Sequence, residues 1–286
     1  MKLFVKNLTH VDFSYFDTDR GVLGESWHTD VVLEGNLNDE SMICDFSIVK
    51  KLIKKWLDDN LDHTLAIPTE HTLVNCMPYQ ERTHFQFKGQ QGNVFDCVAP
   101  HQAFAMLPMQ QINAEQAARW VEAQIIDLLP AELVSLNIRF YSEAINGAQY
   151  QYSHGLKKHA GNCQRIAHGH RSTIEIYKDG KPAADLEANW AQRWHDIYLG
   201  TNEDLIDIET MDGHKFCQFS YISQQGQFDL SINQNAVYML DCDTTVESLA
   251  EHIATVLAAE NPGHAIEVHA FEGIGKGAIA NKQVTA

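Results

Sequence analysis

Apolar and polar positions alternate along Ser172-Thr173-Ile174-Glu175-Ile176-Tyr177, a β-branched run that reads as a strand. Phe46, Val49, Ile53 and Trp56 recur instead at helical spacing, with lysines at 50, 51, 54 and 55 on the opposite face. Val246, Leu249, Ile253 and Val256 give a second such stripe. Asn113 and Thr245 are suited to cap helices, each with a glutamate two residues on that favours a helix N-terminus. Further strands are predicted around 3–16, 28–35, 83–88, 93–98, 146–155, 215–223 and 227–231.

These elements recur because the chain repeats itself. Gln86-Phe87 followed by Gln90-Gln91-Gly92 returns as Gln218-Phe219 followed by Gln224-Gln225-Gly226. The segment from Asn113 returns from Thr245, and the strand ending in Glu143 returns as one ending in Glu272. Offsets of about 129 to 134 residues are the size of a domain, so residues 1–145 and 146–286 are expected to be two units of like fold. Each reads as strand, strand, helix, strand, strand, helix and a last strand. Nothing near 145–147 looks like a flexible linker, so the units are expected to pack together.

Candidate chemistry concentrates in the second unit. On a strand, residues two apart share a face, so His168 and His170 of His168-Gly169-His170 can reach one ion. His154 and Cys163 lie just upstream. Three histidines with a nearby thiol suggest a catalytic zinc site with an open position rather than a structural cage. The other histidines, His10 and His28 among them, show no ligand spacing, and Trp190 and Trp194 read as core.

With 286 residues, 44% of them hydrophobic, the chain can build a sizeable core. A net charge of −17 argues against nucleic-acid binding, although Lys157, Lys158 and Arg165 form a local basic cluster beside the histidines. The start lacks the apolar stretch of a secretory signal, and no run is long enough to span a membrane. Six scattered cysteines do not form a disulfide framework, so a reducing cytoplasmic setting is expected.

Tyr152-Ser153-His154, Cys163 and His168-Gly169-His170 resemble the metal part of the 6-pyruvoyl-tetrahydropterin synthase / 6-carboxytetrahydropterin synthase family. Cys44-Asp45-Phe46, Leu61-Asp62-His63, Asn113-Ala114-Glu115 and Ser142-Glu143 resemble its other parts in the first unit. The resemblance implies an α+β chain of two tandem tunnelling-fold (T-fold) units, each a four-stranded antiparallel sheet with two helices on one face. It also implies association into a homo-oligomer through sheet edges, in keeping with the need of open edges for partners.

By the same resemblance, His154, His168 and His170 hold Zn2+ and the substrate is 7,8-dihydroneopterin triphosphate. Cys163, Asp62 and His63 are the catalytic residues, and Glu143 and Glu272 are both candidates for the pterin anchor. Lys157, Lys158 and Arg165 are candidates for the triphosphate. The implied activity is a lyase reaction giving 6-carboxy-5,6,7,8-tetrahydropterin for queuosine-type synthesis. Formation of the 6-pyruvoyl product and pterin binding without catalysis remain as alternatives. The spacing from Cys163 to His168 matches neither branch of the family.

Neither unit is complete. Counting along the repeat sets Asp17, Leu23 and Glu25 of the first unit where the second has His154, His168 and His170. That suggests two surface carboxylates and no zinc. Counting the other way sets Thr201-Asn202-Glu203 against Leu61-Asp62-His63. Such complementary losses are expected if each working site joins a second unit to a first.

Overall fold

The computed structural model describes residues 1–89 and 94–285. Gln90, Gln91 and Gly92 of the repeat, and position 93 of an expected strand, lie outside the described residues. In chain order the first part holds β1 (Lys2–Asp17), β2 (Gly21–Gly35), α1 (Phe46–Asn60), β3 (Leu65–Pro68), β4 (Val74–Tyr79), β5 (Arg82–Lys88), β6 (Val94–Pro100), β7 (Phe104–Leu107), α2 (Ala114–Ile125) and β8 (Leu133–Ser142). The second holds β9 (Gln149–His154), β10 (His168–Lys178), β11 (Lys181–Pro182), α3 (Ala184–Arg193), β12 (Ile197–Thr201), β13 (Leu205–Met211), β14 (His214–Ser223), β15 (Gly226–Asn233), β16 (Val237–Leu240), α4 (Val246–Glu260), β17 (Ala265–Phe271) and β18 (Gly277–Gln283). Among the described residues no helix is long and apolar enough to cross a membrane.

The helices begin where the sequence predicts. Asn113 and Thr245 accept hydrogen bonds from the backbone N–H groups of Gln116 and Ser248, and Asp45 does the same for Ser47 at the start of α1. α1 buries Val49, Ile53 and Leu57 and leaves its lysines outside. Helices and sheet enclose one core in each unit, and Trp190 and Trp194 lie within the second.

The sheets are not four-stranded antiparallel units. The first runs β7-β3-β1-β2-β8 and the second β16-β12-β9-β10-β17-β18, with β11 beside β10. Both are mixed, because β1·β3, β3·β7, β9·β12 and β12·β16 pair in parallel. The strands responsible are only four or five residues long, and β3 and β12 are buried throughout. They carry no alternation from which a strand can be read. A third sheet, β13-β14-β15-β6-β5-β4, is shared by the two units through antiparallel pairing of β15 with β6. The β6 edge of the first unit and the β15 edge of the second thus close each other.

The units also cross back to back. Ser14 Oγ and Ser153 Oγ lie 2.7 Å apart, both buried, and beside them Gly24 meets Gly169. A Cβ on Gly24 would sit 2.0 Å from the Tyr152 carbonyl oxygen and 2.4 Å from the His170 nitrogen. Neither atom can swing aside, since both belong to paired strands. Gly24→Ala is therefore expected to cost about 3 kcal/mol or more, at the upper end of overpacking penalties. Urea titration of the two proteins measures this, and an unchanged midpoint would show that the crossing is not tight.

Candidate active site

Antiparallel pairing sets His154 opposite His168 and Tyr152 opposite His170, so the three imidazoles gather where β9 ends and β10 begins. All three are buried, and their ligating nitrogens lie within 4.8 Å of one another. His154 Nδ1 is 3.1 Å from the Thr244 carbonyl, and His168 Nδ1 is 3.1 Å from that of Arg165. A carbonyl only accepts, so in both rings Nδ1 carries the hydrogen and Nε2 presents its lone pair. Neither Nε2 has a hydrogen-bond partner. Burial, with the neighbouring imidazoles adding to it, holds both histidines well below their usual pKa and so neutral. Two such nitrogens, with the buried imidazole of His170 as the third of the group, suit a zinc ion with one position open.

The third histidine leans on the other unit. His170 Nδ1 is 3.4 Å from Asp12 Oδ1 of β1. Burial opposes ionisation of Asp12, but His170, Lys276 and the Ser26 hydroxyl overcome it and hold the carboxyl well below its usual range. Asp12 lies between Val11 and Phe13 of the buried helix-side face, and so projects from the opposite face. In the sequence it reads as one more polar position of a half-buried strand, and no motif marks it.

The first unit also supplies Asp62 and His63, which follow α1. His63 adopts a left-handed backbone conformation, φ 54°, and its N–H donates to the Asp12 carbonyl at 2.7 Å. Its Nδ1 is 2.5 Å from Asp62 Oδ2, while Asp62 Oδ1 accepts from the Asp12 N–H at 2.8 Å. The ring faces Cys163 and His168, and these three also have ligating atoms within 4.8 Å of one another. Burial depresses His63, but hydrogen bonds to Asp62 and Cys163 outweigh it and push the pKa up to about 10. Cys163 is held on a short 3-10 turn, Asn162–Gln164, whose carbonyl at Cys163 accepts from the Leu156 N–H.

Glu272 stands beside this centre, with Oε1 3.9 Å from His170 Nε2. β10·β17 pairing puts Ile174 opposite Ala270 and so brings Glu272 level with Ser172, two residues on from His170. Glu143 follows β8 instead, and its carbonyl accepts from Arg171 Nη1 at 2.8 Å. The basic cluster is not free for an anion. Lys157 is paired with Glu203 and Asp204, and Lys158 with Glu203 and Asp243. Arg165 is buried, with Nη1 3.5 Å and 3.4 Å from the carbonyls of Asp62 and His63. It positions that pair.

Strand register corrects the counting between units. Tyr15 pairs with Leu23 as His154 pairs with His168, so Tyr15, not Asp17, answers His154. Asp17 caps a turn by accepting from the N–H groups of Asp19 and Arg20. Glu25 is buried, not a surface carboxylate, and burial raises its pKa. Leu65 is opposite Ser14 and Tyr198 opposite Ser153, so Asp196 answers His63, with the same φ of 54°. The counterpart of Asp62-His63 is therefore His195-Asp196 rather than part of Thr201-Asn202-Glu203. Arg20 fills this second position, its Nε and Nη2 donating to Asp196 at 2.8 and 2.6 Å.

The family model described as 6-pyruvoyl tetrahydropterin synthase matches the chain twice, over residues 7–152 and 143–282. A curated relative from Methanocaldococcus jannaschii, described as "Putative 6-carboxy-5,6,7,8-tetrahydropterin synthase", is 30% identical over 124 residues, which are 43% of this chain and 72% of the relative. Among solved structures, 6-pyruvoyl tetrahydropterin synthase from Plasmodium vivax is 17% identical, with a TM-score of 0.42, and covers 50% of this chain and 91% of its own. That from Plasmodium falciparum is 16% identical, with a TM-score of 0.41 and coverage of 50% and 91%.

Proposed function

Because the chain belongs to the 6-pyruvoyl tetrahydropterin synthase family, which its sequence matches twice over, we propose that it is a zinc-dependent lyase acting on 7,8-dihydroneopterin triphosphate to give 6-carboxy-5,6,7,8-tetrahydropterin. The observation that carries this is the meeting of two partial sites. Three histidines of residues 146–286, whose Nε2 atoms have no hydrogen-bond partner among the described residues, face Cys163 and the Asp62–His63 pair of residues 1–145. The description of the Methanocaldococcus jannaschii relative supports the carboxy product.

His154, His168 and His170 would hold zinc, which when bound acts as a Lewis acid toward the side-chain hydroxyls of the substrate. Cys163 takes a proton from the reacting side chain. A thiolate is the form able to do so, and a neighbouring imidazolium is the kind of group that sustains one. His63, held as that imidazolium by Asp62, is the opposite proton donor. Asp62 fixes the ring and the charge, while Asp12 holds both the His63 backbone and the His170 ring. Glu272 is the anchor, because two carboxylate oxygens can accept the adjacent N–H donors of a pterin.

The outer strands of the shared sheet, β4 and β13, carry exposed Met77, Tyr79, Ile206 and Ile208. Such edges invite a second copy, and we assign self-association to them.

Zinc-loaded protein incubated with 7,8-dihydroneopterin triphosphate should yield the 6-carboxy product and acetaldehyde by mass spectrometry. A 6-pyruvoyl product would move the chain to the other branch of its family, and bound pterin without turnover would leave a binding protein. Metal analysis should give about one zinc per chain, lost in His168→Ala. Two per chain would mean that the position of Tyr15, Leu23 and Glu25 also binds.

A further inference from the structure

Lys276 lies at the tip of the hairpin joining β17 to β18. Gly273 and Gly275 take left-handed conformations there, with φ of 69° and 67°, and the Glu272 N–H donates to the Lys276 carbonyl at 3.0 Å. The turn folds the lysine back over the centre. Its Nζ is 3.3 Å from Asp12 Oδ2 and 3.7 Å from Glu272 Oε2. Gly273 cannot be replaced without displacing this arrangement, since a Cβ there would sit 2.4 Å from Asp12 Oδ1. Asp12 is buried and Glu272 largely so, whereas the lysine side chain is 53% exposed. Its ammonium therefore has two partners below and a free side toward the opening. Lys157 and Lys158 are paired elsewhere and Arg165 is buried, so Lys276 is the cation placed to meet a ligand at Glu272.

A carboxylate beside an ammonium makes a row of two acceptors and one donor. The complementary ring edge carries two donors and then an acceptor. A 2-amino-4-oxo heterocycle has this order: amino group, ring N–H, carbonyl oxygen. We propose that Lys276 is a specificity-determining residue, donating to the 4-oxo oxygen of a pterin whose amino and ring N–H groups are held by Glu272. The inference rests on the pterin reading above and adds the means by which the ring's oxo edge is told from an amino edge. A 4-amino ring presents a donor to Lys276 and, having no ring N–H between its amino groups, a lone pair to Glu272, so it should be disfavoured at both residues.

Equilibrium binding to zinc-loaded protein, followed by ligand fluorescence, tests this with pterin and 2,4-diaminopteridine. The unsubstituted protein should prefer pterin. Lys276→Met should weaken pterin binding by about tenfold to a hundredfold, the value of a hydrogen bond to a charged group. It should leave 2,4-diaminopteridine binding unchanged or tighter, so that the preference falls by at least that factor and only the share due to Glu272 remains. Lys276→Arg should restore it. A purely structural ion pair would give equal losses for both ligands, and that result would overturn the proposal, as would an unchanged preference in Lys276→Met. Zinc content, measured in parallel, should be the same in all three proteins. Failure of the unsubstituted protein to bind pterin overturns the pterin reading and this inference with it. Pterin binding with the preference intact in Lys276→Met overturns this inference alone.

Discussion

His63→Ala is expected to lower the proposed turnover of 7,8-dihydroneopterin triphosphate by about 10²- to 10⁴-fold, the range for loss of a positioned acid–base group, and to leave fold and zinc content intact. The expectation follows from where His63 stands. It comes from the first unit, yet its ring centroid is 5.1 Å from that of His168 in the second. It is not among the three histidines whose nitrogens converge with one another, so its removal spares the metal. Cys163→Ala should lose a similar factor, and the double variant should lose little more than either alone, because the two act as one proton-transferring unit. Asp62→Asn should retain part of the activity, since the ring keeps a partner but not the charge that holds it protonated. Steady-state kinetics on the four variants, with zinc content measured alongside, decides the matter. Full activity in His63→Ala would remove the first unit from the chemistry. Loss of zinc in that variant would assign His63 to the metal instead.

How much of this could be read from the chain differs between residues for physical reasons. His168 and His170 were visible because a two-residue period on a strand fixes a common face, and His154 and Cys163 because they lie close by. Asp62 and His63 were visible only through resemblance, since a short turn after a helix carries no periodicity. Their meeting with Cys163 depends on the crossing at Gly24 and Gly169, which lies about 145 positions apart in sequence. Counting along the repeat misplaced Tyr15 and Asp196, because loops of unequal length shift the count while strand pairing does not. Asp12 could not be recognised at all. Its side chain lies on a face that looks solvent-exposed in an isolated sheet and is buried only because the second unit covers it. The parallel strands β3 and β12 escaped for the related reason that short strands buried within a sheet need no polar face, and β7 and β16 because four residues are too few to show a period.

His154 and His168 should cost metal-free protein up to about 4 kcal/mol of stability between pH 7 and pH 5. His154 and His168 are neutral when folded, with pKa values well below that of a free imidazole, first by burial and then by mutual repulsion. On unfolding each returns to an ordinary value near 6.5. Below that pH the unfolded chain binds protons that the folded one does not, so stability falls as pH falls, by about 2 kcal/mol per histidine at pH 5. His63 works in the other direction and in another window. Its raised pKa gives stability that is complete below about 6.5 and is lost as pH rises through about 10, so it leaves the acid limb unchanged. His10 and His252 are also lowered by burial and add to the acid limb, so the contribution of the centre is read by comparison with His154→Asn. That variant should show a drop smaller by about 2 kcal/mol. Zinc-loaded protein should show the same drop from these two histidines, displaced to higher overall stability, because the folded nitrogens take up no protons in this range whether or not metal holds them. Chemical denaturation at the two pH values, with and without chelator, measures all three. An acid limb identical in the metal-free protein and in His154→Asn would mean that the imidazoles accept protons while folded, and the neutral nitrogens on which the metal assignment rests would not exist.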